Sequence, residues 1–173
     1  LPPNRPVHMF GCGHPMLFPM SIALGADLFD SAAYALFAKD GRLLAPWGTE
    51  KLVNLVDWPV TMPCIAYTSP EEVRNLDPAE QVKVLARYNL EVTLTELSRC
   101  KQAIRDGTIW RLAEKRSHQH PALREAFLWI TTSPNRAGLA VIDLEELVIT
   151  DRAAARDRDS NRGSWEYSWD WIV

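Results

Sequence analysis

The sequence predicts an α/β fold that opens with a β-α-β unit. A short apolar segment, 6–10, is typical of a buried strand and runs through a glycine-containing turn into the apolar segment 16–24. A second short apolar segment, 27–31, follows, and a strand, a helix and a strand in this order predict parallel pairing of the two strands. With 47% of its 173 residues apolar, the chain can bury a core of this kind.

The residues around the first predicted helix support its bounds. Pro15 suits the first helical turn, where the missing N–H group of proline is not needed, and Gly25 lies where a helix would end. The next segment, 32–64, contains turn residues and ends in a proline-bounded apolar stretch. This composition indicates an ordered excursion and not a linker.

Three helix starts are predicted in the second half of the chain. Ser69, Asp77 and Thr93 each place a capping oxygen three residues before a glutamate, which is the pattern of a capping box. Gly107 ends the last of these helices, and two further helices are predicted over 109–115 and 121–130.

The chain divides by composition near residue 130. Segment 139–149 is typical of a strand followed by a short helix, 151–163 alternates Arg with Asp like a solvated segment, and 165–173 has the period-two aromatic pattern of an edge strand. The tail 131–173 is therefore expected to be an edge strand or an oligomer contact.

Charge and composition exclude several classes of protein. A net charge of −3 excludes a globally basic nucleic-acid coat but leaves room for a local basic patch. No apolar stretch approaches the roughly 20 residues that a membrane span needs. Three widely spaced cysteines favour reduced thiols over a disulfide framework, so we expect a soluble cytoplasmic protein. The opening Leu-Pro-Pro shows no signal peptide, and a missing upstream segment is expected.

Asp30 is the first candidate for chemistry. It ends an apolar strand and precedes small residues, and the carboxyl ends of strands carry the site in β/α folds. An Asp in this position is also a common helix N-cap, and spacing alone favours that interpretation. Nearby, Gly11 lets a ligand approach the backbone, and Phe10 could stack on a flat base, although a tight turn explains both. No third glycine follows at the spacing of a dinucleotide fingerprint, which excludes that motif.

Several motifs occur together in one order along residues 1–123. They read LPPNRPVHMFGCGHPM, ALGADLFDSAAYALFAKDGRLL, GTEKL, YNLEVTLTELSRCKQAIRDGTIWRLAEKR and HPAL. In this order they resemble the C-terminal part of the catalytic domain of archaeal-type tRNA-guanine transglycosylases. The resemblance implies part of a TIM (β/α)8 barrel with a helical insertion over 50–92, within a catalytic region over 1–130. It also implies exchange of guanine in nucleic acid for a 7-deazaguanine such as preQ0, which in tRNA begins archaeosine synthesis.

The resemblance assigns roles to residues of the first motifs. Asp30 falls on the family's nucleophile, which attacks the ribose C1′ and leaves a covalent glycosyl-enzyme, so this assignment replaces the N-cap interpretation. Phe10 and Gly11 fall on the base pocket. The second catalytic aspartate belongs to barrel strands that this sequence lacks, and a barrel takes about 250 residues. The chain is therefore expected to be a fragment or to need a complementary subunit; a homo-oligomer stays open.

The zinc site implied by the resemblance is degenerate. The family has C-x-C-x-x-C followed by a helical histidine, whereas this chain has VTMPC and Tyr88, so three of the four ligand positions are lost and no zinc is expected. Trp58, Val60 and Met62 could form a small hydrophobic core with Tyr88 instead. The alternative is a diverged paralogue that acts on DNA or in archaeosine synthesis. We expect Cys64 and Cys100 to be small buried hydrophobes, and His118 and His120 to be surface or capping residues.

Basic residues after Asp30 are candidates for phosphate contact. Lys39 and Arg42 follow it closely in sequence, and nucleic acid, either tRNA or DNA, would be the partner. The later basic residues are interleaved with acidic ones and are expected on solvated helix faces. They are Arg99, Lys101, Arg105, Arg111, Lys115 and Arg116. The competing hypothesis for the whole chain is a non-catalytic or split subunit that binds tRNA.

Overall fold

A computed structural model describes residues 5–132 of the chain. Its elements are β1 (His8–Phe10), α1 (Phe18–Ala23), β2 (Leu28–Asp30), α2 (Ala33–Lys39), β3 (Arg42–Ala45), β4 (Gly48–Lys51), α3 (Pro70–Arg74), α4 (Pro78–Arg105), α5 (Ile109–Ser117) and α6 (Pro121–Thr132). Short 3-10 turns precede α1 and follow β4. The predicted α/β class is confirmed.

The chain opens with the predicted β-α-β unit. Strands β1 and β2 pair in parallel through α1, with His8 opposite Leu28 and Phe10 opposite Asp30. Gly25 adopts φ 106° after α1, in the left-handed region that favours glycine at a helix end. The prediction that β1 is buried is wrong. All of its residues are exposed, because within residues 5–132 the two strands pair only with each other.

Strands β3 and β4 form a separate antiparallel hairpin within the predicted excursion. No closed barrel is formed by the part of the chain that the structure describes, which holds two sheets of two strands each. The barrel implied by the resemblance is therefore not confirmed.

Helix α4 joins two hydrophobic cores. Its 28 residues span about 42 Å at 1.5 Å per residue. Its first half packs in one core with β3 and α3, and this core includes Leu43, Val73, Leu85, Tyr88 and Val92. Its second half packs in the other core with α1, α5 and α6, and this core includes Phe18, Leu97, Cys100, Trp110 and Phe127.

Asn89 lies near the middle of α4 and holds α2 and β3 against this helix. Its Oδ1 accepts a hydrogen bond from the Leu44 amide at 2.7 Å. Its Nδ2 donates to the carbonyl oxygens of Tyr34 at 3.0 Å and Arg42 at 3.1 Å. The Asn89 side chain is fully buried, so it satisfies three backbone groups of the neighbouring elements where solvent cannot.

A buried ion pair holds α5 against α4. The Glu96 carboxylate is inaccessible to solvent and binds the Arg116 guanidinium through two contacts of 2.6 and 2.9 Å. Arg99 adds a third contact at 3.1 Å from one helical turn away. Arg116 was expected on a solvated face, and this is wrong because its charge is needed to neutralise Glu96.

Helix starts are partly as predicted. Asp77 caps α4 by accepting from the Ala79 amide at 2.9 Å, and Gly107, at φ 65°, follows its end. The start predicted at Thr93 is wrong because α4 continues through it. The Thr93 hydroxyl instead donates to the Asn89 carbonyl at 2.8 Å, one turn back. Helices α5 and α6 confirm the predictions over 109–115 and 121–130.

Several predicted elements lie partly or wholly outside the bounds that the structure or the prediction gives. The strand and helix predicted over 139–149, the solvated segment 151–163 and the aromatic strand 165–173 lie outside the described residues. Helix α4 begins inside the predicted insertion, 50–92, and continues beyond it to Arg105. Within residues 5–132, no helix combines the length and hydropathy that a membrane span requires.

Replacing Asn89 with Ala should destabilise the 173-residue chain. The change leaves the Leu44 amide without its buried acceptor, which costs about 1–3 kcal/mol, and removes two further hydrogen bonds to backbone carbonyls. We expect the free energy of unfolding, measured by urea titration, to fall by at least about 2 kcal/mol. Ser98→Ala, on the exposed face of the same helix, should change it by less than about 0.5 kcal/mol. Equal effects of the two variants would contradict this role of Asn89.

Candidate active site

The parallel register gives the first sheet two chemically different faces. Side chains alternate along a strand, so His8 and Phe10 share one face with Asp30, their neighbour on β2. Phe29 lies on the other face and packs against Phe18 of α1, with ring centroids 5.0 Å apart. The face that carries His8, Phe10 and Asp30 is therefore opposite to the core that contains Phe18.

The Asp30 carboxylate is fixed through one of its oxygens. Oδ1 accepts a hydrogen bond from the Gly11 amide at 3.0 Å and lies 3.2 Å from Nε2 of His8. The Asp30 side chain is 51% exposed, and within residues 5–132 both of these polar contacts go to Oδ1. Oδ2 makes neither of these contacts. The N-cap interpretation of Asp30 is not supported, because the α2 amide of Ala33 donates to Ser31 Oγ instead.

Phe10 and Gly11 stand next to Asp30. The Phe10 ring is 88% exposed and meets the His8 imidazole edge-on, with centroids 6.4 Å apart. Gly11 adopts φ 73°, a conformation that side chains disfavour, and this turns its amide toward the carboxylate. A flat ring could pack on Phe10 while remaining within reach of Asp30.

The turn after β1 is packed tightly against the turn after β2. A Cβ atom on Gly13 would lie 2.0 Å from Ser31 Oγ and 2.2 Å from Ser31 Cβ. This close approach fixes Asp30, which precedes Ser31, relative to Gly11. His14 lies in the same turn as Gly13. Its ring packs edge-on against Phe37 and makes a hydrogen bond to the Gly48 backbone. Burial lowers the pKa of the His14 imidazole.

A cleft opens beside Asp30, between these two turns and α4. The residues that line it include Cys12, Asp30, Ser31, Tyr34, Leu90 and Leu94. Burial raises the pKa of the Cys12 thiol, and a hydrogen bond with Ser21 offsets part of that increase. Because the thiolate is the reactive form of cysteine, burial disfavours Cys12 as a nucleophile in this cleft.

Within residues 5–132, the described polar contacts of the Asp30 carboxylate come from Gly11 and His8, not from Lys39 or Arg42. Lys39 lies in the last turn of α2, about 10 Å along the helix axis from its start. Arg42 begins β3, directly opposite Lys51 of β4. Arg42 and Lys51 therefore form a pair of basic residues across the hairpin.

The residues at the implied zinc positions pack as an apolar cluster. Tyr88 is fully buried and stacks on Trp58, while Val60, Met62 and Cys64 pack in the same core. Burial raises the pKa of the Tyr88 phenol to about 12. Within residues 5–132, no group of three or more His, Cys, Asp or Glu side chains could hold a metal ion. The donors at these positions do not fit zinc, which takes four nitrogen, sulfur or carboxylate ligands.

Other predicted thiols and imidazoles lie in structural positions. Cys100 is fully buried as predicted, whereas Cys64 is only half-buried. His120 caps α6 by accepting from the Ala122 amide at 3.2 Å, and both His120 and His118 are exposed, as predicted.

His8 is the site residue that the sequence predictions missed. It lies two residues before Phe10 on β1, and its ring reaches Asp30 because the strands are parallel and in register. The predicted β-α-β unit contained the signal, since residues two apart on one strand share a face. The register needed to pair His8 with Asp30 was not predicted.

A family model and several known proteins match most of the chain. The family model described as queuine tRNA-ribosyltransferase matches residues 1–122. The tRNA-guanine(15) transglycosylase of Methanocaldococcus jannaschii is 53% identical over 131 residues, covering 73% of this chain and 20% of the relative. The protein of the same name from Pyrococcus abyssi is 48% identical over 127 residues, covering 73% of this chain and 22% of the relative. The chain thus spans about a fifth of the length of these relatives.

Gly13→Ala should disturb the site by separating the two turns. The added Cβ cannot fit against Ser31, and overpacking of this kind costs about 1–3 kcal/mol in unfolding free energy. Ser31→Gly removes both of the atoms nearest to that Cβ, so the double variant should lose less than the sum of the two single changes. A urea-denaturation cycle of the four proteins measures this coupling, and strict additivity would contradict the packing described.

Proposed function

This chain belongs to the queuine tRNA-ribosyltransferase family, and from that premise we propose that it carries the nucleophile of a base exchange in tRNA. The reaction replaces a guanine of the tRNA with a 7-deazaguanine base such as preQ0. Asp30 is the proposed nucleophile, and Phe10 and Gly11 belong to the base pocket. The names of the matched relatives support guanine in tRNA as the substrate.

The observation that carries this proposal is the geometry of the Asp30 carboxylate. Oδ1 is held by the Gly11 amide and His8, and the half-exposed side chain presents Oδ2 on the open face of the sheet. Hydrogen bonds to a charged acceptor are among the stronger ones in proteins, so the carboxylate is oriented before substrate arrives. Pre-orientation lowers the entropic cost of attack.

The proposed exchange has two displacement steps. Oδ2 of Asp30 attacks C1′ of the ribose, the C1′–N9 bond breaks, and guanine leaves with the bonding electrons and takes up a proton. The deprotonated N9 of the incoming base then attacks C1′ and releases the carboxylate, which restores the enzyme. By the family resemblance, the second aspartate that serves these proton transfers lies outside this sequence.

The exposed sheet face supports a place inside a larger fold. His8, Phe10 and Asp30 lie on the face of β1 and β2 opposite to the packed helix α1. In a β/α barrel the helices cover the outside and the other strand face points inward. We therefore propose that these strands belong to a TIM barrel whose remaining strands complete the base pocket, on the same polypeptide or on a complementary subunit.

Lys39 and Arg42 are proposed to contact tRNA phosphates away from the reaction centre. Arg42 stands directly opposite Lys51 across the hairpin, and Lys39 is exposed just before this strand. Like charges in such a pair repel, and a bound phosphate would relieve the repulsion.

Asp30→Asn should abolish base exchange without unfolding the protein, since the change is nearly isosteric. A suitable enzyme is the Methanocaldococcus jannaschii relative with its aligned 131 residues replaced by those of this chain. Labelled guanine incorporation into tRNA should fall by at least about a thousandfold, because the nucleophile is lost. Asp57→Asn, the same chemical change at an exposed position remote in sequence, should retain activity.

The outcomes of this experiment separate the alternatives. Retained exchange in the Asp30→Asn chimera would contradict the nucleophile assignment. A folded unsubstituted chimera that binds tRNA without exchange would contradict the catalytic proposal and leave a tRNA-binding role for this chain.

Replacing both Lys39 and Arg42 with Gln should weaken tRNA binding chiefly at low salt. The dependence of log Kd on log salt concentration should lose about one unit of slope per phosphate contact removed. Filter binding at several salt concentrations measures this slope, and Lys115→Gln, at an exposed position of α5, is the control for the loss of one positive charge elsewhere. An unchanged slope in the double variant would contradict the proposed phosphate contacts.

A further inference from the structure

The segment between the second 3-10 turn and α3, residues 55–69, contains no helix or strand. A segment without regular backbone pairing needs side-chain contacts or a cross-link to hold one conformation, because ordering each residue costs conformational entropy. By the resemblance, members of the family use a zinc ion at this place. In this chain, side-chain contacts hold the segment.

Tyr88 of α4 holds the segment at two points. Its ring stacks on Trp58, with centroids 5.6 Å apart and planes inclined by 28°. Its hydroxyl oxygen accepts a hydrogen bond from the Val60 amide at 3.1 Å. Because Tyr88 is fully buried on a rigid helix, both points of the segment are tied to a fixed position.

Trp58 closes the segment on itself. Its indole Nε1 donates to the Tyr67 carbonyl at 3.1 Å, which joins the two ends of the stretch 58–67. Within that stretch Met62 is buried, and its carbonyl accepts from the Ile65 amide at 3.1 Å. The loop therefore has an apolar interior of its own.

Arg74 of α3 fixes the approach to this loop. Its Nη1 donates to the carbonyl oxygens of Leu52 at 3.0 Å and Leu55 at 2.6 Å. The bond to Leu55 satisfies a backbone acceptor at the start of the irregular stretch, and the bond to Leu52 ties Arg74 to the preceding 3-10 turn.

We propose that an aromatic clamp, consisting of the Trp58–Tyr88 stack and the Tyr88–Val60 hydrogen bond, replaces the structural metal of the family in this chain. The clamp joins the loop to the helix, as a zinc ion shared between loop thiolates and a helical histidine would. Cys64 is the one cysteine of the segment, and its charged neighbours are Glu91 and Arg87 on α4. The segment should therefore fold and keep its place without zinc, independently of the proposed base exchange.

Metal content and chelation give the first test, on the whole 173-residue chain expressed with zinc in the medium. We expect less than about a tenth of a zinc ion per chain by elemental analysis, and the same Tm with and without EDTA, since structural zinc contributes directly to folding. Zinc near one per chain, with a Tm that falls on chelation, would overturn the proposal.

Hydrogen exchange in Tyr88→Phe gives the second test. This variant keeps the ring on Trp58 but removes the acceptor of the Val60 amide, so exchange at Val60 should accelerate by about five- to tenfold. Tyr67→Phe is the matched control, because it removes the hydroxyl of a half-buried tyrosine whose backbone carbonyl, and not its hydroxyl, binds Trp58. It should leave Val60 exchange unchanged.

The two measurements are decisive together. A zinc-free chain in which Val60 exchange is unaffected by Tyr88→Phe would overturn the clamp even though no metal is bound. If Tyr88→Phe unfolds the chain, the elemental analysis and the EDTA comparison on the unsubstituted protein still decide whether a metal holds the segment.

Discussion

The position of Asn89 in the middle of α4 is the constraint on which the other elements depend. On one side of it α4 packs with β3 and α3, and on the other side with α1, α5 and α6. Its carboxamide satisfies backbone groups of both α2 and β3, so these elements can approach the helix without leaving buried polar groups unpaired. The neighbouring residue Tyr88 holds the irregular segment before α3. Asn89 and Tyr88, adjacent on α4, thus hold three parts of the chain against this helix: α2, β3 and the irregular segment before α3.

This arrangement extends to the candidate active site through α2. The helix is fixed at Tyr34 by Asn89, and its first turn follows Ser31, which packs on Gly13 of the preceding turn. Asp30 is the last residue of a strand that pairs in parallel, and it precedes a turn that packs closely against Gly13. Its carboxylate therefore meets the Gly11 amide in a defined orientation. The buried Glu96–Arg116 pair plays the equivalent role on the other side, where it holds α5 and the second core on α4.

Local signals predicted much of this structure, whereas long-range pairings did not follow from the sequence. The β-α-β unit and the Asp77 cap could be predicted because each depends on residues close together in the chain. Thr93 carries the same capping pattern as Asp77, but the apolar residues Leu85, Tyr88 and Val92 before it continue the helical spacing into the core. The pairing of Glu96 with Arg116, and of His8 with Asp30, depends on how elements pack, which the pattern of either element alone does not specify. The roles proposed for Asp30, Phe10 and Gly11 come from the resemblance, because spacing left them open.

The covalent bond proposed at Asp30 can be observed directly. The chimeric enzyme would be quenched with acid during turnover with tRNA, digested with nuclease and protease, and its peptides mapped by mass spectrometry. We expect a nucleotide-derived mass increment on the carboxylate of Asp30 that is absent when tRNA is omitted. An active enzyme whose increment maps to another side chain would contradict the role proposed for Asp30.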